Sequence, residues 1–232
     1  MDAFGRIKGF PLMKIQTREI IEKFQKGSFY MNSLRYYRQL YKNYHNEVVG
    51  DPYEGKFFVH NAILYIDGDE HVLHDEPLQT ANEDDFVFCM FCVNPQIDAG
   101  FSFTKEQQEK LTGFHDTVLI ILDSDELHRR IYSAAQKIGV DVKAGFVQYY
   151  DPTINDATTY LNLLHGMDNI VFHKRKQYQY QQEYRFTVRQ PSKNKYVDHL
   201  ELCIGDISDI SKAYPTKEIL PNLHISRYSD ST

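Results

Sequence analysis

Short apolar runs separated by polar stretches are the dominant pattern along the chain. The runs "FVFCMFCV" and "TVLIIL" are brief and rich in aromatic or β-branched residues, which is typical of buried strands. Mixed or alternating patterns predict further strands in "SFYMNSL", "KFFVHNAILYI", "AGFVQYY", "YQQEYRFTV" and "HLELCIG". The chain therefore contains roughly six to eight predicted strands.

Helical spacing of apolar residues marks a second set of segments. In "TREIIEKFQKG", Thr17 can cap the start of a helix and Gly27 can end it. In "SDELHRRIYSAAQKIG", the cap is Ser124 or Asp125, and shorter helices are expected in "TKEQQEKL" and "DATTYLNLLHG". The segment "RYYRQLYKNYHNE" is either an amphipathic helix or a tyrosine-rich loop.

The order of these elements predicts the fold class. Strands and helices do not alternate strictly, which favours an α+β domain with a mixed or mostly antiparallel sheet flanked by three or four helices. There is no repeat, low-complexity tract or linker-like segment, so a single domain over residues 1–232 is expected. With 42% apolar residues, the chain can fill a core.

Composition narrows the setting of the protein. No stretch approaches the roughly 18 apolar residues of a membrane span, and no signal peptide or membrane contact is expected. Three cysteines do not make a disulfide framework, so a reducing, cytoplasmic compartment is expected. Cys89 and Cys92 form a C-x-x-C inside an apolar run, which favours buried strand cysteines over a metal or redox pair.

Charge is distributed unevenly along the chain. The net charge is −6, but residues 1–42 carry +6, residues 43–85 carry −10, residues 86–172 carry −5 and residues 173–232 carry +3. If the two basic ends meet in the fold, they can build a positive cleft for an anionic ligand. Scattered, solvated lysines remain the alternative.

The stretch "KRKQYQYQQEYRF" raises the first question of chemistry. In a strand its aromatic residues would share one face, and Gln181, Glu183 and Arg185 would share the other. Such a strand is either an ordinary antiparallel strand with one wet face or the wall of a ligand site.

A second polar cluster follows the first predicted helix. Asn32, Ser33 and Arg35 lie where a chain often turns polar groups toward a cleft, although Asn32 and Ser33 can instead cap the next helix. In the "GDPYEG" turn, Asp51 and Glu54 can hold an arginine. The expected partners of these two acids are Arg35 or Arg38.

Absent motifs exclude several classes of enzyme. The sequence has no Walker loop, no G-x-G-x-x-G, no G-x-S-x-G and no H-E-x-x-H. Most kinases, NTPases, dehydrogenases and serine hydrolases are therefore set aside. No metal site is predicted.

The ordered set of motifs resembles a large bacterial and phage family that is known mainly as a domain of unknown function. In that family a helix and a G-x-hydrophobic-x-N/S-x-L segment lead to a D-P-F/Y-E turn, and a late strand carries an E-x-R motif. The matching pieces here are "KGSFYMNSL", "GDPYEG", "FVFCMFCV", "AGFVQYYDP", "KRKQYQYQQEYRFTV" and "HLELCIG".

The layout is also similar, more distantly, to that of ADP-ribosyltransferases. This resemblance implies NAD as the cofactor and a late Q/E-x-E motif, supplied by Gln181 and Glu183 as catalytic residues. It further implies an early arginine or histidine, for which Arg6, Lys14 and Arg35 are the candidates. The expected cofactor-binding residues are Asn32, Ser33, Arg35 and Arg185.

Three functions follow from these residues. The first is an NAD-using effector of phage or bacterial toxin or defence type, in which Glu183 stabilises the ribosyl cation and the acceptor is nucleic acid or a host protein. The second is a non-enzymatic module that binds nucleotide, nucleic acid or protein through its basic ends. A metal nuclease that uses Asp51, Glu54 and Glu183 around Mg²⁺ ranks last.

Overall fold

The computed structural model describes residues 7–44, 50–58, 62–73, 77–93, 100–153, 167–189 and 197–226. The strands are β1 (Leu12–Gln16), β2 (Ser28–Ser33), β3 (Lys56–Phe58), β4 (Ala62–Ile66), β5 (Asp69–Leu73), β6 (Pro77–Thr80), β7 (Phe86–Cys92), β8 (Phe101–Ser102), β9 (Thr117–Ile121), β10 (Val142–Phe146), β11 (Gln148–Tyr150), β12 (His173–Arg175), β13 (Glu183–Val188), β14 (His199–Cys203), β15 (Ser211–Pro215) and β16 (His224–Ile225). The α-helices are α1 (Arg18–Gln25), α2 (Leu34–Tyr44), α3 (Lys105–Thr112), α4 (Ser124–Lys137) and α5 (Thr216–Ile219). Two 3-10 helices cover Met167–Phe172 and Lys176–Gln181.

The central sheet has eight strands in the order β10-β13-β7-β1-β9-β15, and β2 joins it by pairing with both β7 and β14. All pairs within this sheet are antiparallel. The other strands form two-stranded pairs, of which β11 with β12 is parallel. The predicted α+β class with a mostly antiparallel, helix-flanked sheet is confirmed.

Helices cover both faces of this sheet. On one face, Ile21 of α1 and Leu127 of α4 pack into a cluster that contains Leu119 of β9. On the other face, Leu111 of α3 packs into a cluster that contains Val118 of β9. Burial on both faces explains why "TVLIIL" and "FVFCMFCV" are almost continuously apolar and do not alternate with polar residues.

The sheet contains a fork along one edge of β7. Strand β13 pairs with the whole of the opposite edge of β7. On the forked edge, β2 pairs at Phe86 and Val87, and β1 pairs at Phe91 and Cys92. Among the described residues, Phe88–Met90 therefore have no strand partner on this edge.

Lys14 supplies the hydrogen bond that is missing at the fork. Its Nζ atom donates to the carbonyl oxygen of Cys89 over 2.7 Å and lies 4.3 Å from the centre of the Phe88 ring. Helix α1 connects β1 to β2 and packs Ile21 and Phe24 into the core beside the fork. A lysine therefore replaces a strand partner, because a buried carbonyl needs a donor.

Two predicted element boundaries are wrong. The strand expected in "YQQEYRFTV" begins only at Glu183, because Lys176–Gln181 forms a 3-10 helix that ends at Gln182 with a φ of 39°. Helix α4 is capped by Asp123, whose side chain accepts a hydrogen bond from the Glu126 amide over 2.9 Å. The Ser124 hydroxyl instead accepts a hydrogen bond from the Phe10 amide.

Other segments match or refine the prediction. The tyrosine-rich segment forms helix α2, and "AGFVQYY" divides into β10 and β11. The helix predicted in "DATTYLNLLHG" lies outside the described residues. The three cysteines are free thiols. None of the helices in the described ranges is long and apolar enough to cross a membrane.

We expect Phe29→Ala to destabilise the fold strongly, because the Phe29 ring is fully buried against Phe24, Phe88 and Phe186. The loss should be about 3–5 kcal/mol, as for other buried phenylalanines. Urea unfolding measures it. Tyr30→Ala is the matched control, because the Tyr30 ring is 42% exposed on the other face of β2. Equal losses for the two variants would contradict the packing described above.

Candidate functional site

A cavity of about 390 Å³ lies at the fork. Strands β1, β2, β7 and β13 contribute to its wall, together with helix α2 and the turn that contains Asp51 and Glu54. Its polar wall residues include Lys14, Asn32, His115, Gln181, Glu183 and Arg185. The two basic ends of the chain therefore meet here, as the charge pattern allowed.

Glu183 is held by two cations in the cavity wall. Its Oε1 atom accepts a hydrogen bond from Lys174 Nζ over 2.5 Å, and its Oε2 atom accepts one from Arg185 Nε over 2.7 Å. The Glu183 side chain is only 8% exposed. Tyr149 fixes the backbone at this point, because its hydroxyl accepts a hydrogen bond from the Glu183 amide over 2.9 Å.

Glu54 extends this pairing into a buried ionic cluster, which consists of Glu54, Lys174, Glu183 and Arg185. Arg185 Nη1 donates to Glu54 Oε1 over 2.7 Å, and Lys174 Nζ lies 3.7 Å from Glu54 Oε2. The cluster thus joins β12 and β13 to a turn more than a hundred residues earlier in the chain. Two acids and two bases balance inside a site that water hardly reaches.

Asp51 and Glu54 do bind arginines, but not the expected ones. Asp51 pairs with Arg175 over 3.0 Å, and the side chain of Glu54 pairs with Arg185. Arg38 reaches Glu54 only at its backbone carbonyl. The expectation of Arg35 or Arg38 as ion-pair partners of these two acids is therefore wrong, because the partners come from the late basic segment.

The pKa values of Glu183, which belongs to the cluster, and of the nearby Asp51 are shifted in opposite directions. Burial alone would raise the pKa of Glu183, but the charges of Arg185 and Lys174 outweigh burial and hold this pKa well below its usual range. Burial raises the pKa of Asp51, and the nearby charge of Glu54 adds to the rise. Glu183 is therefore the acid that stays ionised across the physiological pH range.

Two further candidates line the same cavity. Asn32 lies near the end of β2 and lines the cavity together with Tyr37 of α2. The Gln181 amide is fixed because its Oε1 atom accepts a hydrogen bond from Lys174 Nζ over 2.7 Å. Lys174 thus binds the side chains of both Gln181 and Glu183. The two residues do not share a strand face, because Gln181 belongs to a 3-10 helix.

Ser33 and Arg35 are not part of the cavity wall. The Ser33 hydroxyl accepts a hydrogen bond from the Tyr36 amide over 3.2 Å at the start of α2, which is the capping alternative considered for this serine. Arg35 forms ion pairs with Glu83 over 2.6 Å and with Asp84 over 2.7 Å. Neither side chain faces the ligand space that Glu183 lines.

In this geometry Arg185 binds and orients Glu183. Its side chain is fully buried, and its guanidinium also donates to the carbonyl of Val171. Among the described residues, its Nη2 atom has no hydrogen-bond partner. Arg185 therefore pairs with Glu183, and its expected role as a cofactor-binding residue stays a prediction.

The sequence did not point to two other polar residues of the site. Lys174 holds both Gln181 and Glu183, and His115 lines the cavity. Lys14, one of the candidates for the early arginine or histidine, lines the cavity as well. Only the basic cluster before "QYQYQQEYRF" hinted at Lys174. His115 lies in a short connection before β9 that carries no recognisable motif.

Metal binding is not the evident role of the acids. Within the described ranges, no group of three or more His, Cys, Asp or Glu side chains is placed to hold a metal ion. The carboxylates of Asp51, Glu54 and Glu183 pair with Arg175, Arg185 and Lys174 instead. The structure therefore gives no support to a Mg²⁺ site at these three acids.

Comparison with known proteins supplies no template for the site. No protein-family model, no curated protein and no solved structure matches the chain. The chemistry of the cavity is therefore inferred from its own side chains.

We expect Glu183→Gln to lower the free energy of unfolding at neutral pH. We expect the stability difference between wild type and variant to become smaller as pH falls. The pKa of Glu183 is lower in the folded protein than in the unfolded chain, so its stabilising contribution is present above the unfolded pKa and fades as pH falls. Between about pH 5 and about pH 3, the difference between wild type and variant should shrink by roughly 1.5 kcal/mol. Urea unfolding at several pH values measures it. A difference that stays constant would contradict the ionised state of Glu183.

Ser33→Ala should destabilise the protein by about 1 kcal/mol, because it removes the cap of helix α2. Ser28→Ala, at the start of the same strand, should cost less than about 0.5 kcal/mol. Chemical denaturation of both variants provides the comparison. If Ser33→Ala is as stable as Ser28→Ala, the serine is not a cap.

Proposed function

We propose that the protein is an ADP-ribosyltransferase-like enzyme that uses NAD to modify a macromolecule, as an effector of phage or bacterial toxin or defence type. The observation that carries this proposal is the ionised carboxylate of Glu183 in the wall of a cavity that Asn32 and Gln181 also line. The cavity volume of about 390 Å³ is within the range of roughly 300–1,000 Å³ for small-molecule sites.

The reaction requires a negative charge at this point. When the bond between ribose C1′ and the nicotinamide nitrogen breaks, its electron pair leaves with nicotinamide and positive charge develops on the ribose. A fixed, ionised carboxylate stabilises that charge without reorganising during the reaction. A lone pair of the acceptor then forms the new bond to C1′, and the acceptor releases its proton to solvent.

The ionic cluster would preorganise the catalytic acid. Lys174 and Arg185 fix both oxygens of Glu183, and Lys174 also fixes the Gln181 amide beside it. Gln181 would orient the acceptor, and Asn32 and Tyr37 would contact the ribose or the nicotinamide amide. Nucleic acid and host protein are both retained as classes of acceptor.

A specific observation favours a second candidate function. Because both oxygens of Glu183 already accept hydrogen bonds from cations, less of its negative charge is available to a reacting sugar. The same cavity would then bind a nucleotide without chemistry, as a non-enzymatic module that recognises nucleotide, nucleic acid or protein. Such a module would bind NAD and leave it intact.

We expect the purified protein to release nicotinamide from NAD in the presence of cell extract, and we expect Glu183→Gln to release it at least about 100-fold more slowly. Chromatography of nicotinamide measures the rate, and circular dichroism checks that the variant is folded. Glu201→Gln is the matched control, because the Glu201 side chain is exposed on β14 and its replacement should leave the rate unchanged.

Two outcomes separate the candidates. NAD that binds but stays intact would exclude the enzyme and support the binding module. Nicotinamide release at equal rates by wild type and Glu183→Gln would show that this acid has no catalytic role.

A further inference from the structure

One part of the cavity wall lies beside the end of β1 and differs from the ionic cluster. It includes Lys14 and Gln16 of β1 and His115 of the connection before β9. Gln16 pairs with Thr117 in the sheet, so His115 lies just beyond the end of this strand pair. Lys14 and His115 thus both line the β1 side of the cavity, and the charge of Lys14 acts on the His115 imidazole.

Among the described residues, Lys14 is the cation of the cavity wall that forms no ion pair, although the charge of Glu183 acts on it from farther away. Within the described ranges Lys14 forms no ion pair, whereas Lys174 and Arg185 both bind Glu183. The polar contact of Lys14 is the carbonyl of Cys89, which leaves ammonium hydrogens available. Burial lowers the pKa of Lys14, so an anionic ligand would restore a favourable environment for its charge.

His115 is also available to a ligand. Its ring has no hydrogen-bond partner among the residues that the structure describes, and it lines the cavity. Burial lowers the pKa of His115, and the charge of Lys14 lowers it further, while Asp116 acts in the opposite direction. The imidazole is therefore neutral at physiological pH until an anion approaches it.

We propose that Lys14 and His115 form a phosphate-binding end of the cavity that takes the diphosphate of a nucleotide, with His115 becoming protonated on binding. The inference rests on the proposed function only for the choice of an NAD-like ligand. It directs the diphosphate to the β1 end and the nicotinamide ribose to Glu183, at the ionic cluster. Arg185, which is enclosed in that cluster, is then not needed to hold the diphosphate.

The affinity for the diphosphate should depend on pH in one direction. Protonated His115 binds the diphosphate and neutral His115 does not attract it, so affinity falls as pH rises through the pKa range of histidine. The other titratable or charged groups in the cavity wall are Tyr36, Tyr37, Asp51, Glu54, Cys89, Lys174, Glu183 and Arg185. Burial raises the pKa of Asp51, so a histidine variant is needed to isolate the contribution of the imidazole.

Calorimetric titration with ADP-ribose tests the proposal, because the charge of its diphosphate stays constant across the pH range used. From about pH 8 to about pH 5.5, wild type should gain roughly fivefold in affinity, because the bound diphosphate stabilises the protonated form of His115. His115→Asn should show no such gain. His71→Asn, on the exposed hairpin strand β5, is the matched control and should behave like wild type. Adenosine, which has no phosphate, should bind more weakly and without the gain.

Any one of three results would contradict the proposed phosphate-binding end. ADP-ribose could fail to bind, adenosine could bind as tightly as ADP-ribose, or His115→Asn could show the same pH dependence as wild type. The proposed function fails separately, because ADP-ribose can bind with the expected pH dependence to a protein that does not consume NAD. Conversely, NAD turnover with pH-independent binding of ADP-ribose would remove only the phosphate-binding end.

Discussion

The buried guanidinium of Arg185 is the constraint on which the site depends. A charge with no exposure to water is tolerated only if acids surround it, and Glu183 and Glu54 do so from different parts of the chain. Because Arg185 needs both carboxylates as partners, the turn at Glu54 lies against strand β13. It also keeps Glu183 ionised, because Arg185 and Lys174 together outweigh the effect of burial.

The fork in the sheet provides the space that this acid faces. Strands β1 and β2 share one edge of β7 and separate between Val87 and Phe91, and Lys14 donates to the Cys89 carbonyl that has no strand partner there. The resulting cavity has an ionised carboxylate in the ionic cluster and, on β1, the ammonium group of Lys14, which forms no ion pair among the described residues. An anionic nucleotide whose sugar becomes cationic during reaction would be complementary to both groups.

The sequence predicted the strands and helices that a local pattern of apolar residues marks. It missed features that depend on contacts between distant parts of the chain. The apolar runs identified β7 and β9 correctly, because strands buried on both faces need no alternation. The alternating aromatic residues before Glu183 indicated a strand, but residues 176–181 form a 3-10 helix in which Tyr178 is buried. Local periodicity could not reveal this, because the 3-10 helix also makes contacts with distant parts of the chain, such as the hydrogen bond that the Gln107 side chain donates to the Tyr180 carbonyl. The sequence singled out both Asn32 and Glu183, whereas nothing local marked His115.

A crystal structure with a carbocyclic NAD analogue, which cannot lose nicotinamide, would show whether Glu183 lies beside the reacting sugar. The analogue should occupy the cavity at the fork, with the ring that replaces the ribose within about 3 Å of the Glu183 carboxylate. Its diphosphate should lie at Lys14 and His115. An analogue bound outside this cavity, or bound in it with its reacting carbon far from Glu183, would contradict the assignment of this acid as the group that stabilises the ribosyl cation.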